Sequence, residues 1–237
     1  MNEPKMITIP EGEYTLGVPT ITSGLRHIWE GPRAVASKAF LMAETAVTVK
    51  EFAEYLLDTK GTIDGDFADL NNWDGELPEG GPSWDDAFEY AEWLKGKTGK
   101  PYRLPTGDEW EIAARGGLVG KRFPWGDETV IGRCNSSVSR TEPWAIPEPV
   151  KSYEPNGYGL YGMVGGIWCW CADLWVDYVK NDPPENTPTG RPAEINRVLR
   201  GGSFLTSDEL FLMCACIHED PPELRHKCLG MRLACDV

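Results

Sequence analysis

Apolar and polar positions alternate through MITIPEGEYTLG near the start of the chain, and the alternation breaks at Glu11-Gly12. A period of two predicts a short strand, a turn and a second strand. AFLMAETAVT, residues 39–48, reads as a further extended piece. From Thr48 the period lengthens. Phe52, Tyr55 and Leu56 fall on one helical face, Thr48 and Glu51 form a capping box, and the helix should stop before Gly61. Ser83 caps a second helix, SWDDAFEYAEWLKGKTG. There Trp84, Ala87, Phe88, Ala91 and Leu94 share a face, Asp85 and Asp86 meet the positive end of the helix dipole, and Gly99 is the stop. Thr106 and Glu109 open a third, short helix with Trp110, Ala113 and Ala114 inward and Gly116-Gly117 at its end.

From Phe123 onward helical periodicity disappears. FPWGDE, EPNGYGLYGM, GGIWCWCADLW, RVLRGGSF and GMRLACDV read as short strands or turns separated by Gly, Pro and Asn. Helices near the front and strands behind them predict an α+β fold with short antiparallel strands and much irregular loop. No repeat or linker divides the chain, so residues 1–237 are expected to form a single domain.

Charge narrows the partners. The formal net charge is −14, and a duplex nucleic-acid binder needs a basic face. Between Gly61 and Tyr90 stand nine acidic residues and no Lys or Arg. This stretch reads as a solvated loop, with a cation-binding or partner-steering surface as the sharper alternative. No apolar run reaches membrane-spanning length. The start lacks a secretory pattern, so cytoplasmic synthesis is expected, compatible with a phage particle or a cell surface as destination.

The seven cysteines are odd in number, and without a signal they should be reduced. Two C-x-C elements, Cys169/Cys171 and Cys214/Cys216, would each put both sulfurs on one face of a strand, with Trp168 and Trp170 opposite the first pair. Plain burial as small hydrophobes is the expectation. A disulfide or a four-sulfur zinc site are the alternatives.

Six segments in order resemble the formylglycine-generating enzyme family, or sulfatase-modifying-factor domain. They are SWDDAFEYAEWL, YRLPTGDEWEIAARGG, FPWGDE, NGYGLYGMVGGIWCW, RVLRGGSF and GMRLA, spread over residues 6–236. The resemblance implies a C-type-lectin-like fold. The family it points to includes copper oxidases that convert a substrate cysteine to formylglycine, iron-dependent sulfoxide synthases, and non-catalytic binders such as the variable proteins of diversity-generating retroelements.

In the copper enzymes two cysteines follow R-G-G-S, and soft thiolates suit Cu(I). Aligned here they fall on Thr206 and Phe211, which supply no thiolate. A calcium position near the tryptophans has lost its side-chain oxygens to Gly162 and Cys169, leaving only carbonyls around Gly165 and Ile167. A second calcium position retains Asn135. The three-histidine iron site has no counterpart; the histidines are His27, His218 and His226. The A-A-R strand reads Cys214-Ala215-Cys216, and G-F-R reads Gly230-Met231-Arg232. Framework positions persist: Trp110, Arg115, Trp125, Trp168, Trp170, Arg200, Gly201, Gly202 and Ser203.

Retained framework with altered chemistry leads to the expectation of a non-catalytic module. It would bind a protein or small-molecule ligand through C-terminal loops, using Phe204, Thr206, Asp208, Leu210, Phe211, His218 and His226, with no cofactor beyond weak calcium. A retroelement variable protein or a phage or surface receptor-binding protein would fit that description. The alternative is a metal-dependent oxidoreductase, with copper, acting on a cysteine or other thiol through Cys214, Cys216, Ser203 and Trp168.

Overall fold

The computed structural model describes residues 3–18, 32–63, 75–140, 146–178 and 195–237. His27 and the middle of the acidic stretch lie outside them. Among the described residues the chain order begins with strands β1 (Met6–Ile9), β2 (Gly12–Leu16), β3 (Arg33–Ser37) and β4 (Phe40–Ala43). Helices α1 (Val49–Lys60) and α2 (Trp84–Thr98), strand β5 (Tyr102–Arg103) and helix α3 (Gly107–Arg115) come next. The second half contains β6 (Trp168–Leu174), a four-residue helix α4 (Trp175–Tyr178), β7 (Arg197–Arg200), β8 (Ile217–Asp220), β9 (Leu229–Gly230) and β10 (Ala234–Asp236).

The helix limits follow from their caps. Thr48/Glu51, Ser83/Asp86 and Thr106/Glu109 each form a reciprocal capping box, and Gly61, Gly99 and Gly116 close the three helices in the left-handed region. Phe88 departs from the expected inward face of α2. It is 47% exposed and stacks on Trp84 with ring centroids 5.3 Å apart.

Consecutive strands do not simply pair with each other. The first sheet runs β1-β4-β10-β5, the second is the β2-β3 hairpin, and the third runs β8-β7-β6-β9. Hence β1 and β2, adjacent in sequence, enter different sheets. One pairing is not antiparallel as expected: β6 and β9 run parallel, with Trp168 opposite Leu229. The core between the sheets and α3 is filled by Trp110, Trp170, Tyr102, Phe52 and Phe123, all fully buried. Two arginines, Arg200 and Arg232, are buried with them. All seven cysteines are free, and six are buried. No helix of the described residues is long and apolar enough to cross a membrane.

Candidate functional site

Strand β7 ends at Arg200, which lies opposite Cys169 of β6. Its guanidinium donates to the Cys216 carbonyl at 3.0 Å and stands 3.5 Å from Glu111. The chain then turns through Gly201 and Gly202, both at positive φ (99° and 72°). A Cβ on Gly201 would come within 2.9 Å of the Met163 carbonyl and of the Trp110 ring. Only glycine satisfies both the dihedral and the space. Gly201→Ala is therefore expected to lower stability by about 2 kcal/mol, from left-handed strain plus overpacking, read as a shift of the urea midpoint. An unchanged midpoint would contradict this packing.

Beyond the glycines the loop closes on itself. The Ser203 N–H donates to Thr206 Oγ1 at 2.9 Å, and the Thr206 N–H returns to the Ser203 carbonyl at 3.0 Å. Phe204 is 1% exposed and forms the floor, with Lys227 Nζ 5.8 Å from its ring centroid. Asp208 caps the short 3-10 helix Glu209–Leu212 by accepting from the Leu210 N–H at 3.0 Å. Leu205 is exposed, while Leu210 and Phe211 are half-buried.

Cys214 and Cys216 are fully buried behind this loop. Cys214 lies in a turn, so the two C-x-C elements do not form facing strands. Burial pushes the Cys214 thiol up to about 12 and the Cys216 thiol higher. Among the described residues no group of three or more His, Cys, Asp or Glu side chains could hold a metal ion.

On β8, the His218 ring packs against the Trp168 indole, centroids 5.3 Å apart. Burial holds its imidazole down to about 4. Its Nε2 is 3.7 Å from Asp220, whose carboxyl is pushed up to about 6 by burial and then by Glu219. The two therefore do not form an ion pair at neutral pH, because the imidazole is uncharged there.

The loop after β8 adds a residue that sequence reading passed over. Cys228 is only partly buried, and its sulfur lies 2.9 Å from His226 Nδ1. The Ser203 side chain lies beside the same sulfur, and the Cys228 carbonyl accepts from the Trp168 N–H at 2.9 Å. Thus Ser203, His226 and Cys228 converge beside Trp168 and His218. The available signal was the spacing H-x-C in a polar loop.

The sulfatase-modifying factor enzyme 1-like domain model matches residues 1–237. The chain belongs to that family. It is 41% identical over 167 residues to the formylglycine-generating enzyme of Streptomyces coelicolor, covering 65% of this chain and 51% of that protein. The match thus spans about half the length of that curated relative. The structure of PvdO from Pseudomonas aeruginosa superposes with a TM-score of 0.79 at 26% identity, covering 99% of this chain and 95% of that one. Treponema denticola variable protein 1 shares the fold, with a TM-score of 0.71 at 22% identity over 98% and 95% of the two chains. The fold is the C-type-lectin-like fold of this family.

Family membership gives the altered positions their meaning. Thr206 and Phe211 bring no sulfur to the loop after R-G-G-S, so the donors that Cu(I) needs are missing there. At Cys169, Trp110 and Arg232 both approach the sulfur. Arg232 spends its other donors on the carbonyls of Ala43 at 2.8 Å, Gly162 at 3.4 Å and Tyr161. A buried guanidinium beside the Gly162 carbonyl is hostile to a cation, and neither Gly162 nor Cys169 offers a side-chain oxygen. Burial holds Arg232 down to about 10. At Asn135, where the family resemblance implies a second calcium position, the side-chain Oδ1 is buried without a partner among the described residues. It supplies a single neutral side-chain oxygen beside a cavity of about 50 Å³.

Proposed function

We propose that this chain is a ligand-binding module on the family scaffold, and that the face formed by residues 203–213 and 221–228 holds the ligand. The observation that carries this reading is the loop after R-G-G-S. Where the family resemblance implies copper thiolates, Thr206 uses its hydroxyl to close its own turn at 2.9 Å and Phe211 is a half-buried hydrophobe. The same face offers a protein or small-molecule partner an apolar centre, Leu205, Leu210 and Phe211, edged by Asp208, His218 and His226. Phe204 and Thr206 support it from beneath. No cofactor enters this reading.

A second reading is favoured by one observation, the 41% identity to a protein named formylglycine-generating enzyme. It makes the chain a copper-dependent oxidoreductase acting on a cysteine or other thiol, with Ser203 and Trp168 beside the substrate and Cys214 and Cys216 as metal ligands. Those two sulfurs are fully buried, which weighs against them. The readings part in one experiment. Protein purified under reducing conditions is given Cu(I) and a cysteine-containing peptide, and oxygen uptake and peptide mass are followed. The binding reading expects uptake equal to a protein-free control and no bound copper after desalting. Copper retained at one per chain, with oxygen consumed and the peptide oxidised, returns the chain to the enzyme reading.

A further inference from the structure

Cys228 is the only one of the seven cysteines that is not buried, and it has company suited to chemistry. His226 Nδ1 lies 2.9 Å from Sγ and also accepts the Cys228 backbone N–H at 3.3 Å. A ring nitrogen that accepts an N–H carries no proton of its own. The neutral imidazole therefore has its proton on Nε2, and Nδ1 faces the thiol as an acceptor. His226 is exposed, so Nε2 can exchange protons with water. Burial disfavours a thiolate at Cys228, and so does the nearby Asp220 carboxylate; the Ser203 side chain and the positive charge of Lys227 favour one.

The backbone around this pair is fixed. The Leu229 N–H donates to the His226 carbonyl at 2.8 Å, and the Trp168 N–H to the Cys228 carbonyl at 2.9 Å. From below, a Cβ on Gly80 would lie 2.2 Å from the Lys227 carbonyl. The backbone of residues 79–81 is pressed that closely against the loop, and the thiol is held in its place beside the imidazole.

We infer that Cys228 is a reactive thiol and that the Cys228–His226 pair exchanges with low-molecular-weight disulfides to give a mixed disulfide on the chain. In the step, His226 Nδ1 takes the S–H proton as the sulfur lone pair attacks one sulfur of the disulfide. A new S–S bond forms and the old one breaks. The departing sulfur leaves with the bonding electron pair and takes the proton from the imidazolium as a free thiol. Cys228 is oxidised to the mixed-disulfide level, and the released half of the disulfide is reduced, so no other oxidant is required. The base is needed because burial pushes the resting Cys228 thiol up to about 11, which leaves little thiolate at neutral pH. Cys228 and His226 lie on the 221–228 part of the face that the binding reading gives to the ligand, but the exchange needs no ligand bound there, so its failure would leave that reading standing.

The test uses the whole chain, purified reduced and freed of reductant. It is exposed to oxidised glutathione at pH 7, then examined by intact mass and peptide mapping, with alkylation by iodoacetamide as a rate measurement. One glutathione per chain, located on Cys228, is expected. Cys228→Ser should remove the adduct, and His226→Ala should slow alkylation of Cys228 about a hundredfold, the low end of what a positioned base supplies. His226 is exposed, so circular dichroism of His226→Ala should match the parent. No adduct, an adduct on another cysteine, or a folded His226→Ala variant that is alkylated at the parent rate would each overturn the inference. If Cys228→Ser does not fold, peptide mapping of the parent chain and the His226→Ala rate decide it.

Discussion

Replacing Glu111 with Ala should cost about 3–5 kcal/mol, the price of leaving buried charges without their partner, and bring the domain close to its folding threshold. Glu111 is wholly buried on α3. One carboxylate oxygen accepts from Arg115 at 2.9 and 2.6 Å and from the Gly17 N–H at 2.7 Å. The other oxygen faces Arg200 at 3.5 Å. Both guanidinium groups are themselves buried; Arg115 also donates to the carbonyls of Gly17 at 2.7 Å and Lys121 at 3.0 Å, and Arg200 to that of Cys216 at 3.0 Å. Carbonyl dipoles soften a buried positive charge but do not neutralise it. Alanine would also open a cavity where the carboxylate stood. Urea unfolding followed by tryptophan fluorescence measures the loss. Glu111→Gln, which keeps the shape and removes the charge, should fall between the two. A loss below about 1 kcal/mol for the alanine variant would mean that the arginines find other partners. The effect should reach the site, because Arg200 anchors the turn that presents residues 203–213.

The helices were legible because their signals are local. Thr48/Glu51 and Thr106/Glu109 lie three residues apart, so a capping box can be read from neighbours alone. Sheet pairing was not legible. β10 inserts between β4 and β5, matching Ala234 with both Met42 and Arg103, and no window of sequence spans those partners. Phe88 failed for a related reason: helical phase placed it near the apolar stripe, but stacking on Trp84 gives its ring cover at the surface.

The site divides in the same way. The missing thiolates at Thr206 and Phe211 are residue identities and needed no coordinates. Cys228 depends on β9 lying parallel to β6, which carries the end of the 221–228 loop to Trp168 and to the R-G-G-S turn. That pairing joins residues some sixty positions apart, beyond the reach of local pattern. The meaning of Cys169 was likewise incomplete in sequence. Replacement of a carboxylate was visible, but not that the sulfur would sit against buried Arg232.

Glu79→Gln should stabilise the chain by roughly 3 kcal/mol at pH 7 and leave it nearly unchanged at pH 4. Glu79 is 2% exposed, and its Oε1 has no hydrogen-bond partner among the described residues. Burial alone raises its carboxyl from 4.5 to about 8, so the folded chain keeps a proton that the unfolded chain surrenders. The sign follows from that difference. Below about 4.5 both states are protonated and the contribution is fully present. As pH rises toward 8 the unfolded state binds fewer protons, and stability falls by about 1.4 kcal/mol per pH unit. Above 8 the folded carboxyl ionises too and the loss levels off. Glutamine fills nearly the same volume without ionising, so its advantage should open between pH 4.5 and 8 and then stay constant. Other titrating groups, His218 and Asp220 included, are common to both proteins and cancel in the difference. Urea midpoints of parent and variant at pH 4.5, 6 and 8 test this directly; parallel curves across that range would mean that Glu79 reaches water or a counter-charge. The backbone at Glu79 also lies close to the thiol site. The Glu79 carbonyl lies 2.4 Å from where a Gly230 Cβ would sit, and the Gly81 N–H donates to the Leu229 carbonyl at 2.9 Å. Residues 79–81 therefore pack directly against the strand that follows Cys228.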